Sequence, residues 1–342
     1  MHHIRGVILL GAFALLAPAQ EVTVHPAPML YMPGVVDSNS PVFWRDGVMH
    51  IINSTGLPRI TAVADQYSFD EGEVIPVSVD SGDHMPMWIE SVWQDEDGTL
   101  FAWYHHERTG VCRGSTLTMP EIGALASLDG GYSYIDLGIV LSAGDPPDCS
   151  AKNGFFAGGH GDFSVIADPE SGYFYFLFDN YGGEGESQGV SIARMSMTDR
   201  FQPVGAVYKY YNGAWEEPGV GGKVTPIFRA AVAWNKPNVD SFWGPSIHWN
   251  YAIDSYVVLM SRTCCEPGWP QEGIYITFNR DLSNPEGWTA PERLMSAEEI
   301  GFAPGYYPQI IGTGPYETDT IAGQTARLYI KGVSKWEITF TP

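Results

Sequence analysis

Five times along these 342 residues a short apolar run leads through a turn into a second, aromatic strand. Residues 40–44 precede 48–53, 90–93 precede 99–104, 163–166 precede 173–178, 245–249 precede 255–260, and 308–311 precede 326–330. Taking Pro41, Ser91, Ser164, Ser246 and Gln309 as equivalent points, each interval holds about four strands, the size of a propeller blade with insertions. The 39 glycines and 25 prolines would break long helices repeatedly. Residues 119–127 form the best short helical candidate and read equally well as strand. The pattern therefore predicts an all-β fold, a five-bladed β-propeller with blades of about four antiparallel strands around a central channel. It would occupy residues 20–342 as one domain. A first strand over 21–24 and a last one over 335–341 would share a blade and close the ring, which removes exposed edges.

Residues 1–19 stand apart. A short basic start through Arg5, an apolar run over 6–16 and Ala17-Pro-Ala19 form the pattern of a cleaved secretory signal peptide, too short to cross a bilayer as a helix. The expectation is a protein exported to the periplasm or the extracellular space, with no membrane insertion. Forty acidic against eighteen basic residues give a formal charge of −22. Nucleic acid demands clustered Lys and Arg, so it is excluded as a partner. Polyanionic substrates are disfavoured unless a local basic pocket overrides the field. Neutral ligands or a divalent cation fit this field better. Four cysteines in an exported chain suggest disulfides. Cys112 and Cys149 make the natural long-range pair; Cys264 and Cys265, being adjacent, could bridge each other or pair elsewhere. The oligomeric state is not legible.

One stretch carries the most chemistry. Gly158-Gly-His-Gly-Asp162 runs directly into the third blade's first strand, and its glycines permit close backbone approach. Asp162 is thus aimed from the mouth of a strand. Residues just before the first strand of every blade ring one mouth of a propeller channel, the default ligand site. That ring comprises Asp37 and Asn39, then Glu90, then His160 and Asp162, then Trp243 and His248, then Tyr307 and Gln309. Converging carboxylates suit glycoside hydrolysis, where one group must be ionised and another protonated. Trp88, Trp243 and Tyr307 could stack on sugar faces, and a carbohydrate is the partner this set implies.

The layout resembles the five-bladed propeller glycosidases, above all glycoside hydrolase family 43 and its relatives. Met87-Trp-Ile-Glu90 is similar to the Phe-Trp-Ala-Pro that often opens their second blade, and Gly161-Asp-Phe-Ser-Val165 matches their blade-three aspartate. In that family this aspartate tunes and orients the general acid, which implies the same role for Asp162. The blade-four Glu-Gly-Pro is here Trp243-Gly244-Pro245, so tryptophan stands where the resemblance expects the acid. The family's Asp-Pro for the base is here Ser40-Pro41, with Asp37 three residues earlier. Ser127-Leu-Asp129-Gly-Gly131-Tyr-Ser-Tyr134 also resembles the Asp-box of sialidase-like propellers, a device for tying up a hairpin turn.

The catalytic set is therefore reassigned. Glu90, between Ile89 and Trp93, has an apolar setting that would raise its pKa and suit a general acid. Asp37 is the candidate base, although Asp-x-Asn also forms turns. Asp162 is the modulator, or bonds to the amides of its own loop. His105 or His248 could replace the acid. In Tyr104-His-His-Glu107, strand alternation puts His105 and Glu107 on one face and His106 on the other. His105, His160 and His248 together would suit a transition metal, which defines a third reading as a metal-dependent enzyme. Arg262 either contacts a ligand or pairs with Glu272. A non-catalytic carbohydrate-binding propeller is the alternative to a hydrolase of a neutral or weakly charged sugar. An inverting course, with carboxyls about 6.5–9.5 Å apart, is what the resemblance implies.

Overall fold

A computed structural model describes residues 20–53, 55–301 and 305–342; the predicted leader, residues 1–19, lies outside them. Among the described residues the strands form five antiparallel-based sheets, each starting from one of the five expected runs. Blade one is Val42–Arg45, Val48–Asn53, Arg59–Val63 and Ile75–Pro76. Blade two runs Met87–Gln94, Leu100–Arg108, Met119–Ser127 and Ser133–Leu141, so the ambiguous 119–127 segment is a strand. Blade three begins His160–Asp168 and Tyr173–Asn180, blade four Asp240–Asn250 and Ser255–Cys264, blade five Pro308–Gly312 and Thr325–Ile330. The first strands of successive blades touch one another around the axis.

Period-two alternation explains why such strands need two neighbours. Along Tyr173–Asn180, Phe174, Phe176 and Phe178 face the core shared with blade two, while Tyr175 and Leu177 face the core shared with blade four. Along Ser255–Cys264, Val258 and Met260 face blade three and Val257 and Leu259 face blade five. Each blade interface carries its own apolar core in this way. A strand buried on both faces cannot sit at the surface, so the sheets stack in a ring.

The ring closes as expected. Glu21–Tyr31 pairs antiparallel with Val333–Thr341, from Glu21 opposite Thr341 to Tyr31 opposite Val333, as the outer strand of blade five. In the turn between the third and fourth strands of blade two, Asp129 accepts bonds from the amides of Tyr132 and Ser133 and from two hydroxyls, while Ser127 accepts from the Gly131 amide. Both cysteine pairs are disulfides, Cys112–Cys149 and Cys264–Cys265. No helix among the described residues is long and apolar enough to cross a membrane.

Phe340, fully buried in the closing strand against the blade four–blade five core, tests this closure. Phe340→Ala should destabilise the protein by about 3–5 kcal/mol, read as a lower denaturant midpoint. A loss below about 1 kcal/mol would mean that the terminal strand does not hold the ring.

Candidate functional site

Three of the inner strands break register at the same level. Extra residues interrupt the pairing between Ile89 and Ser91, between Gly161 and Phe163, and between Trp243 and Ser246. The residues expelled from regular pairing are Glu90, Asp162 and the Gly244-Pro245 pair. A bulge of this kind re-aims a side chain: Asp162 and Trp243 line the cavity at the channel mouth, while the Glu90 carboxyl turns inward behind His105. Asp162 takes a left-handed backbone (φ 40°), as does Tyr307 (φ 57°) just ahead of blade five's first strand.

The mouth opens into a cavity of about 230 Å³ lined by Asp37, Trp88, His105, Glu107, Asp162, Trp243, Tyr307 and Lys331, with Phe155, Phe156, Trp269 and Tyr306 completing an aromatic wall. Trp243 packs edge-on against Trp269 and Tyr307, with centroids 5.3 and 5.5 Å away. Two loops supply much of this wall, and a disulfide braces each: Cys112–Cys149 near Phe155 and Phe156, and Cys264–Cys265 near Trp269.

The carboxylates differ sharply in setting. Asp37 stands at the exposed rim, where partial burial of its carboxyl raises its pKa against the opposing pull of Lys331 and a hydrogen bond from the Trp88 indole. Asp162 is buried, which raises its pKa, while His105 and the hydroxyls of Tyr181 and Tyr307 pull it back. Glu90 lies one layer deeper, behind His105 and outside the cavity lining. Its Oε2 accepts the Phe163 amide at 2.9 Å, and its Oε1 faces His105 Nδ1 at 3.3 Å. Burial pushes Glu90 up to about 7 despite that imidazole. For His105 burial acts downward, but the hydrogen bond and charge of Glu90 outweigh it and lift the ring to about 9. The Glu90–His105 pair therefore holds a proton through neutrality, with the imidazole at the cavity surface. Asp179, wholly buried behind Asp162, accepts the Gly244 amide at 2.8 Å, and burial holds its carboxyl well above the usual range.

The remaining expected site residues sit elsewhere. His160 is buried beside Phe178, and burial drives its pKa well down. His248 is buried against Phe340, and burial lowers it to about 3. Gln309 clamps the backbone of Ser40, accepting from its N–H at 2.7 Å and donating to its carbonyl at 2.9 Å. Arg262 makes a two-pronged ion pair with Asp240, at 2.9 and 3.0 Å, and reaches Glu272 at 3.9 Å. None of these four lines the cavity. The three histidines are likewise not grouped: among the described residues the close donor sets are Glu90–His105–Asp162, with donor atoms within 4.8 Å of one another, and Asp240–Cys264–Cys265. The first set could hold a cation, in competition with the Phe163 amide and the Tyr181 hydroxyl; in the second set both sulfurs are tied up as a disulfide.

Alternation placed His105 and Glu107 correctly together, with His106 turned away to the Pro86 carbonyl. Sequence reasoning missed Asp179 and Tyr181, although Asp179-Asn-Tyr181 ends the strand paired with Gly161 and so had to lie beside Asp162. Trp269, Tyr306 and Lys331 come from connecting segments without a period, and no sequence signal marks them.

No family model and no curated protein matches the chain. Solved structures do. The catalytic domain of the Coprinopsis cinerea GH62 α-L-arabinofuranosidase superposes over 91% of this chain and 94% of its own, with TM-score 0.52 and 10% identity. The Lactobacillus brevis α-L-arabinofuranosidase does so over 91% and 92%, with TM-score 0.52 and 11% identity. The exo-β-1,3-galactanase of Phanerochaete chrysosporium, solved with β-1,3-galactotriose, matches 93% of this chain at TM-score 0.50 and 12% identity; the chain spans 63% of that protein's length. The fold is that of family-43 and family-62 glycoside hydrolases.

Two outcomes test the site. A Cβ at Gly161 would lie 2.9 Å from His105 Cε1 and 3.0 Å from its Nε2. Gly161→Ala should therefore displace the imidazole at a cost of about 1–3 kcal/mol, and an unmoved His105 titration in NMR would contradict the packing. The pH dependence follows from the raised pKa values. Folded-state protons are held more tightly than in the unfolded chain, so stability contributed by the pair declines as pH rises. The share of Glu90 is lost between 4.5 and about 7 and that of His105 between 6.5 and about 9. Melting temperature should fall across this window, and the slope should shrink in Glu90→Gln.

Proposed function

We propose that this protein is an exported glycosidase that binds a sugar unit in the aromatic-walled cavity and hydrolyses its glycosidic bond. One observation carries the reading: Asp37, His105 and Asp162 meet at one cavity, with Glu90 directly behind the imidazole. At about 230 Å³ the cavity is below the roughly 300–1,000 Å³ of drug-sized sites, which favours a single ring and action at a chain end. The arabinofuranosidase and galactanase neighbours make arabinosides and galactans the first substrates to try.

In this mechanism Asp37, at the wet rim, takes a proton from water as the water oxygen bonds to the anomeric carbon. The bond from that carbon to the leaving oxygen breaks as this oxygen receives a proton from the imidazolium of His105. Glu90 stabilises that imidazolium and fixes its orientation, so its part in acid catalysis is exerted through the ring. Asp162, bonded by two tyrosine hydroxyls, keeps a negative potential beside the oxocarbenium-like transition state. Trp88, Trp243 and Tyr307 offer stacking faces. The two disulfides are consistent with export.

Asp37→Asn should lower turnover about 10²–10⁴-fold with sugar affinity retained, measured by product release from arabinan and galactan oligosaccharides. Glu90→Gln should lower turnover and move the basic limb of the pH–rate profile, because the imidazole loses its charged partner. Trp243 in the place of an acid favours a second reading, a binding module without turnover. Saturable sugar binding by the native protein with no product at any pH would decide for that reading and against hydrolysis.

A further inference from the structure

Among the described residues Lys331 is the one lysine or arginine on the cavity lining, and it also lines a second cavity of about 270 Å³ with Ile300, Gly305, Ile330, Lys335 and Trp336. Two of the chain's six lysines thus line one hollow, in a protein with forty acidic residues, and the charge of Lys331 also acts on the Asp37 carboxyl in the first cavity. No carboxylate is among the described residues that line it. Neither ammonium has an ion-pair partner within 4.0 Å among the described residues. Their backbone is set by pairing: Lys331 occupies a left-handed turn position (φ 49°), its amide donates to the Tyr306 carbonyl at 2.6 Å, and Lys335 sits four residues on in the return strand. Trp336, half-buried beside them, presents an aromatic surface.

We propose that this second hollow is a subsite for an anionic group, a carboxylate or a sulfate ester, borne on the sugar next to the ring held in the first cavity. The inference rests on the proposed sugar-binding role of the first cavity and names its substrate class more closely. Opposite charge is locally concentrated against a repelling global field, which is the arrangement that selects an anion arriving in one orientation. Lys331, shared by both hollows, links the two rings. The remaining surface, strongly negative, turns away anionic chains that do not seat there.

The test uses three matched probes: galactan, galacturonan and sulfated galactan oligosaccharides of equal length, titrated calorimetrically against the full mature protein. Tighter binding of an anionic probe than of the neutral one, weakening with added salt, is the expected result, and the tighter of the two anionic arms identifies the group as carboxylate or sulfate. Lys335→Ala should reduce anionic affinity about fivefold and Lys335→Glu more, with neutral-sugar affinity and melting temperature unchanged. Equal affinity for all three probes, binding of the neutral one alone, or no binding of either anionic probe overturns the proposal. Because the readout is binding, anionic preference with no turnover would leave this subsite standing and remove only the hydrolytic reading.

Discussion

The first strand of each blade turns one edge toward the axis, and along most of that edge no strand pairs with it; Asp240–Asn250 meets a strand there only at its end, Ile321–Ala322. Backbone N–H and C=O groups left there must find partners. Polar side chains of the adjoining blades supply them. Glu90 and Ser91 accept the amides of Phe163 and Val165 at 2.9 and 2.8 Å. Asp179 accepts the Gly244 amide, Gln309 clamps Ser40, and Asp319 accepts the Val42 amide at 2.8 Å. Asn39 donates to the carbonyls of Phe163 and Pro245 at 3.0 and 2.9 Å, so a blade-one side chain ties together blades three and four. The five apolar cores hold the blades face to face, and this polar collar fixes their relative height.

The collar also explains why ionisable groups gather at the mouth. A carboxylate is the strongest acceptor available for an orphan amide, and putting one beside the axis takes it out of water. Glu90, Asp162 and Asp179 are all buried and act on one another electrostatically, and among the described residues the imidazole of His105 is the one basic group hydrogen-bonded to any of them. Not all three can be ionised beside a single imidazolium. Protons are therefore retained there at neutral pH, and a proton store next to an open cavity is the prerequisite for acid catalysis. Structure and chemistry draw on the same side chains. An inward carboxylate such as Glu90 does have a purpose in the fold alone, and catalysis would be an added use of it.

The architecture was legible because it is enforced by repetition. A strand that must serve two apolar cores reads as an apolar run with aromatic residues on both parities, and 173–178 shows this plainly. Asp162 was legible for a local reason: Gly159 and Gly161 leave room against Pro120 and His105 that a side chain would fill. Depth along the axis was not legible. His160, His248 and Gln309 belong to the inner strands, as their positions suggested, but period-two reading fixes a face and not a level. The bulge at Glu90 adds a further half-step that no propensity reveals, and it carries the carboxyl behind His105 rather than into the cavity. Trp269 and Lys331 enter from turns at φ 57° and φ 49°, where the backbone reverses and periodicity ends.

Tryptophan at position 243 changes the division of labour at the mouth. A glutamate there would stand on the bulged strand whose Gly244 amide Asp179 holds, adding one more carboxylate to a cluster that already carries more negative groups than it can neutralise. An indole instead closes the aromatic wall with Trp269, Tyr306 and Tyr307 and dries the far side of the cavity. Proton-holding capacity also lies on the opposite side, in the Glu90–His105 pair, where burial lifts the carboxyl and the hydrogen bond and charge of that carboxyl lift the imidazole. In the proposed mechanism the acid therefore comes from blade two, the only blade that sets an imidazole against a buried carboxyl at the mouth among the described residues.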